Sequence, residues 1–131
     1  MTAQQINFVK NSLQAAVSAG ASFNMNPTVI LAQAAFESGW GMSKLATGSN
    51  NYFGLTAYGC SNQYWHGGKT TVNTGSYSLD FRRYDTRENS FLDFARLIHS
   101  AYPVAATLTF HPAAYAKEIA YSKYISEVNG D

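Results

Sequence analysis

Asn26-Pro27 opens a stretch, Pro27 to Ser38, that is apolar almost all round: Val29, Ile30, Leu31, Ala32, Ala34, Ala35 and Phe36 leave no polar face. An N-cap residue followed by proline in the first turn is a strong helix start, and Gly39 and Gly41 supply the stop. A helix without a polar stripe is normally wrapped by the rest of its fold. The segment therefore predicts a domain assembled around one central helix. With 131 residues the chain is large enough for one core and too small for two, so a single domain over 1–131 is expected. Hydrophobic residues make up 46% and charged ones 13%, which excludes general disorder. A formal net charge of +1 argues against a dedicated nucleic-acid binder, which needs a basic surplus.

Helical periodicity recurs elsewhere. Ile6, Val9, Leu13, Ala16 and Val17 predict an amphipathic helix from about residue 3 to 19, stopped at Gly20. Phe91, Phe94, Ala95, Ile98, Ala101 and Tyr102 predict another, ended by Pro103. A last helix is expected over about 112–121, with Ala113, Ala116 and Ala120 on one side. Between Thr47 and Gly75 the composition shifts to Gly, Ser, Asn, Thr and Tyr, as in loops and short strands. Within and beyond it, Lys69–Val72 and Ser76–Tyr84 flank an Asn73-Thr74-Gly75 turn signal and predict a β-hairpin. Residues 1–20 carry Gln, Asn and Lys at helical spacing and do not read as a signal peptide. No stretch approaches the roughly 18 apolar residues of a membrane span.

The candidate chemistry lies at the end of the apolar helix. Glu37 is a lone acid beside Gly39, Trp40 and Gly41. The helix macrodipole disfavours a carboxylate there by several tenths to about 1 kcal/mol. Burial among Phe36 and Trp40 would act in the same direction, favouring the protonated acid. Such an acid can donate a proton to a leaving oxygen, as glycosidic-bond cleavage requires. The plainer alternative is that Glu37 pairs with Lys44 or an arginine, or points into water. Cys60 is the single cysteine and can form no internal disulfide. His66, His99 and His111 show no metal-ligand spacing, so neither metal nor cofactor is expected.

The segment Ile30-Leu31-Ala32-Gln33-Ala34-Ala35-Phe36-Glu37-Ser38-Gly39-Trp40-Gly41 closely resembles the active-site helix of the bacterial glucosaminidases, glycoside hydrolase family 73. Further segments match that family in order. Asn50-Asn51-Tyr52-Phe53-Gly54-Leu55 resembles its Asn-Asn-Leu-Phe-Gly-Ile element, and Trp65 with Gly67 its Trp-x-Gly. Phe81-Arg82-Arg83-Tyr84-Asp85, with Ser90 and Asp93-Phe94 after it, resembles Phe-Arg-x-Tyr-x-Ser and the helix that follows. The resemblance implies a mainly α-helical, lysozyme-like fold with a small β-hairpin lobe flanking a substrate groove. It implies an enzyme that hydrolyses the β-1,4 bond after N-acetylglucosamine in peptidoglycan, at the bacterial cell wall, without a cofactor. Glu37 falls on the family's general acid, and Tyr124 near its active-site tyrosine. Trp40, Asn51, Tyr52, Phe53, Tyr64, Trp65 and Asn73 are the expected substrate contacts, with Phe53 and Phe81 also supporting the core. Tyr52, Tyr58, Tyr64 and Trp65 lie in the loop-rich segment, where some should be exposed and offer flat faces to sugar rings. A monomer is expected.

One departure matters. The hairpin stretch in which many family members carry a second acid reads Lys69-Thr70-Thr71-Val72-Asn73-Thr74-Gly75, without a carboxylate. Glycosidases normally divide the work between two carboxylates. Asp80 or Asp85 could activate water, though Asp85 is better read as a cap for the following helix. The substrate's own N-acetyl group could serve as nucleophile, or Glu37 could act alone as in a lytic transglycosylase or muramidase. A non-catalytic wall-binding module is the reading from another class.

Overall fold

The computed structural model describes residues 1–122 and Tyr124. The elements are α1 (Ala3–Phe23), α2 (Pro27–Ser38), α3 (Lys44–Ser49), β1 (Lys69–Asn73), β2 (Ser78–Arg82), α4 (Arg87–Ala101), α5 (Pro103–Thr107) and α6 (Pro112–Tyr121). The architecture is mainly helical with a small antiparallel hairpin, as the sequence predicts. The short helix α3 runs into the start of the stretch expected to be loops and short strands, and the short helix α5 follows α4 directly.

Local chemistry sets the boundaries. Thr2 and Gln5 form a reciprocal capping box at the start of α1. At α2 the Asn26 side chain accepts from the Thr28 N–H, ahead of Pro27. Thr86 caps α4 by accepting from Asn89 N–H. The expectation that Asp85 does this is corrected, because its carboxylate instead meets His66 Nδ1 at 2.7 Å. Gly20 does not stop α1. A Cβ there would stand 2.6 Å from the Met25 carbonyl oxygen, so glycine lets the chain fold back tightly towards α2.

The core lies between α1, α2 and α4. Phe53 and Phe94 stack with centroids 4.0 Å apart, and Phe91 meets Phe53 edge-on at 5.1 Å. Each such buried ring stabilises the fold by roughly 2–3 kcal/mol. The face expected to be buried on α1 is corrected. Phe8, Ser12, Ala15, Ala16, Ala19 and Gly20 are buried, while Ile6, Leu13 and Val17 are exposed. Small residues let α1 approach α4 closely, and that contact determines the inner face. On α6 the buried residues are Tyr115 and Ile119, and Ala113, Ala116 and Ala120 lie outside.

The hairpin pairs Lys69 with Arg82 through to Asn73 with Ser78. It is anchored to the helical body by one buried carboxylate. Asp93 on α4 accepts from Arg82 (2.7 Å), Tyr84 (2.5 Å), Arg96 (2.8 Å) and Asn62 (3.0 Å). Arg82 also donates to the carbonyls of Thr56 and Tyr58, and its guanidinium lies 4.2 Å from the Trp65 ring centroid. Charge-assisted bonds thus fasten the lobe, alongside neutral ones from Asn51 to the Arg82 carbonyl and between the Ser49 and Thr70 hydroxyls.

Candidate active site

Only one face of α2 is wrapped. Ile30, Ala34, Ala35 and Ser38 are buried, whereas Phe36 is 85% exposed. The uncovered face, with Val29, Ala32, Gln33, Phe36 and Glu37, forms one wall of an open cleft of about 530 Å³. Pro112, Tyr115, Ala116, Ile119 and Ala120 of α6 form the other. The all-round apolar pattern therefore has two causes: a core contact on one side and a cleft lining on the other.

Glu37 is half-buried in this cleft, and burial raises its carboxyl above the ordinary glutamate range. No ion pair to Glu37 forms among the described residues. The screen was expected from Phe36 and Trp40, and this is corrected. Phe36 points outward, and Trp40 turns towards α1, edge-on to Phe8 at 6.1 Å.

Two phenols stand behind the carboxyl. Tyr115 donates to Gln33 Oε1 at 2.5 Å. Burial first, then the charge of Glu37, pushes both Tyr115 and Tyr124 above the ordinary tyrosine range. Tyr124 is fully buried, and its hydroxyl has no hydrogen-bond partner among the described residues. Gln33 acts on this hydroxyl as a hydrogen-bonding side chain outside ideal geometry: its Oε1 is taken by Tyr115, and its Nε2 remains as a donor. A buried hydroxyl left unsatisfied is unfavourable by about 1–3 kcal/mol, and such groups cluster at sites that bind something. Tyr124 and Glu37, distant in sequence, are brought together.

Other expected contacts have structural employment. Asn51 is buried and spans the chain: its Nδ2 donates to the carbonyls of Leu55 and Arg82, and its Oδ1 accepts from Phe53 and Leu55 N–H. Tyr52 and Phe53 are core residues, 3% and 0% exposed. Trp65 is 2% exposed and donates through Nε1 to the Gly68 carbonyl at 2.8 Å. Of the four loop aromatics expected to be exposed in part, Tyr58 stands exposed, while Tyr52 and Trp65 are buried and offer no face to a sugar ring. Tyr64 is partly buried against Phe23 of α1. Asn73 is exposed at the hairpin end, accepting from Ser78. Asp80 is exposed on β2, where it accepts from Thr71 at 2.6 Å. None of these lines the Glu37 cleft.

Sequence reasoning missed Gln33 and Tyr115. The signal for Gln33 was present: it precedes Glu37 by one helical turn and shares its face. Glu37 is the one carboxylate among the described residues lining the cleft. Among the described residues no cluster of His, Cys, Asp and Glu could hold a metal.

The turn after α2 is unusual. Gly39, Trp40 and Gly41 have φ of 55°, 58° and 78°. Glycine adopts this region freely, but tryptophan is strained there by about 1–2 kcal/mol. At Gly41 a Cβ would come within 2.8 Å of Phe8 Cδ1.

Comparison with known proteins places these features in context. The glucosaminidase family model, described as mannosyl-glycoprotein endo-beta-N-acetylglucosaminidase, matches residues 13–129. The peptidoglycan hydrolase FlgJ of Vibrio parahaemolyticus is 26% identical over 144 residues, which cover 93% of this chain and 46% of that protein. The chain thus spans about half the length of that relative. The glycoside hydrolase domain of Salmonella typhimurium FlgJ superposes with a TM-score of 0.72 at 24% identity, covering 96% of this chain and 84% of that one. A peptidoglycan hydrolase from Sphingomonas sp. A1 gives 0.67 at 27% identity, covering 98% and 84%.

Proposed function

Because the chain belongs to the glucosaminidase family of glycoside hydrolases, we propose that it cleaves the β-1,4 bond after N-acetylglucosamine in peptidoglycan, with Glu37 as general acid. The observation that carries this reading is a half-buried carboxyl, held towards its protonated form by burial, in a cleft open along α2 and α6. Relatives whose names state peptidoglycan hydrolysis support the substrate class. That substrate puts the site of action at the cell wall, in the periplasm or outside the cell. No helix among the described residues is long and apolar enough to cross a membrane.

Asp80 would be a poor second acid in this reading, because it is held by Thr71 outside the cleft lining. A one-carboxylate route fits better. The substrate's acetamido oxygen attacks the anomeric carbon as the bridging bond breaks, and Glu37 gives its proton to the departing oxygen. Water then opens the cyclic intermediate while Glu37 takes a proton back. Tyr115, kept protonated by burial, lines the cleft and holds the Gln33 side chain through its donated hydrogen bond, and the fully buried Tyr124 backs the Glu37 carboxyl.

The test is Glu37→Gln with purified cell walls. The expected result is loss of released reducing ends, with a melting temperature no lower than the parent's, and fragments from the parent that end in N-acetylglucosamine. Digestion at the parental rate would defeat the assignment. Anhydro-muramyl ends would replace hydrolysis by transglycosylation, and glycan binding without any cleavage by the parent would favour a binding module.

A further inference from the structure

A second cleft, of about 290 Å³, is lined by Gln4, Asn7 and Asn11 of α1, Trp40 and Met42 of the turn after α2, and Arg87 at the start of α4. We infer that this cleft is a second carbohydrate site, taking the N-acetylated glycan that the Proposed function assigns to the Glu37 cleft, on which reading the ligand class rests. Gln4, Asn7 and Asn11 are spaced by three and four residues, so their amides share one face of α1. They are exposed and make no side-chain hydrogen bond among the described residues. An amide carries donors and an acceptor side by side, the pattern that adjacent sugar hydroxyls and acetamido groups satisfy. Arg87 uses one nitrogen on Ser12 Oγ at 2.8 Å, and its guanidinium stacks 4.6 Å from the Tyr52 centroid, which fixes it at the rim with donors to spare.

Trp40 supplies the flat apolar face. Its ring is partly exposed, and Phe8 meets it edge-on at an interplanar angle of 87°. Its backbone is held in the left-handed region between two glycines. A bulky side chain kept in a strained conformation, where glycine would sit without strain, points to a use for that side chain. Trp65, the other tryptophan, is buried and committed to the Gly68 carbonyl. The two clefts share no lining residue: a glycan held at Trp40 meets α1, the turn after α2 and the start of α4, whereas the Glu37 cleft is lined by α2 and α6.

Isotope-labelled protein titrated with the tetrasaccharide of N-acetylglucosamine tests this, by following the indole Nε1–H signals of Trp40 and Trp65. The Trp40 signal is expected to shift saturably while Trp65 stays fixed as the internal reference. The Asn7→Ala/Asn11→Ala variant, altered at exposed helix positions, should bind at Trp40 at least about fivefold more weakly. A Trp40 signal that stays still at saturating sugar, or equal affinity in that variant, overturns the inference. The same titration in Glu37→Gln separates the two readings. Shifts around Glu37 without any at Trp40 leave the catalytic assignment standing and defeat the second site. Shifts at Trp40, with wall digestion unaffected by Glu37→Gln, do the reverse.

Discussion

Replacing Asp93 with asparagine should unfasten the hairpin lobe. The carboxylate is fully buried and accepts from Asn62, Arg82, Tyr84 and Arg96. Asparagine keeps one acceptor oxygen and turns an amino group towards donors. It also leaves Arg82, whose side chain is 9% exposed, without its counter-charge. Breaking one side of a buried pair in this way is destabilising by about 3–5 kcal/mol, against a total stability of roughly 5–15 kcal/mol for a domain. At this chain length that corresponds to a fall in Tm of about 10–20 °C. The pH dependence follows from the same contacts. Burial alone would raise the Asp93 carboxyl, but the Tyr84 hydroxyl and the Arg82 charge outweigh it and hold the carboxyl below the ordinary aspartate range. A depressed native pKa gives stability that is complete above the unfolded-state value and is lost as pH falls through the native one. Urea unfolding followed by circular dichroism, at pH 7 and at successively lower pH, measures both. The expected result is a large gap between parent and variant at pH 7 that narrows on acidification. A gap below about 1 kcal/mol at pH 7, or one indifferent to pH, would refute the claim that this carboxylate anchors the lobe.

Other outcomes follow from the cleft. Tyr124→Phe removes a buried hydroxyl without a well-placed partner among the described residues, so Tm should hold or rise while wall digestion falls by about tenfold, read by paired melting and turnover assays. Glu37→Gln should raise Tm at pH 7 and not below about pH 4, because a native pKa above the unfolded one gives stability that is lost as pH rises through the native value. The gain, seen by scanning calorimetry, should be on the order of 0.3–1 kcal/mol for a carboxylate at a helix C-terminus. Digestion by the parent should decline as pH rises through the Glu37 pKa, which a pH–rate profile of kcat/KM reads directly.

Legibility in the sequence tracked the range of the interaction. The Asn26-Pro27 cap and the stop after Ser38 act within a few residues and stand where local chemistry placed them, while the hairpin turn falls over 74–77, with Asn73 still paired to Ser78 at the end of β1. The inner face of α1 was misread because periodicity weighs Ile6, Leu13 and Val17 by size, whereas close helix packing selects Ser12, Ala15, Ala16 and Ala19. Asn51 and Trp65 carry polar groups that could meet a ligand, and only the fold shows those groups spent on the carbonyls of Leu55, Arg82 and Gly68. The Asp93 hub could not be foreseen, since its donors come from a loop, a strand and the helix itself. Glu37 was legible because its oddity is local: an acid at the negative end of an apolar helix. Gln33 is legible by the same local rule, one helical turn before Glu37, whereas Tyr115 required the docking of α6 to be seen.

The central claim is that Glu37 keeps a proton where an ordinary glutamate has lost it. Carbon-detected NMR of the side-chain carboxyl, assigned by difference from Glu37→Gln and followed across pH, measures this directly. The account predicts a midpoint above the ordinary glutamate value of 4.5. A midpoint at or below that value would leave the cleft without its acid and contradict the mechanism.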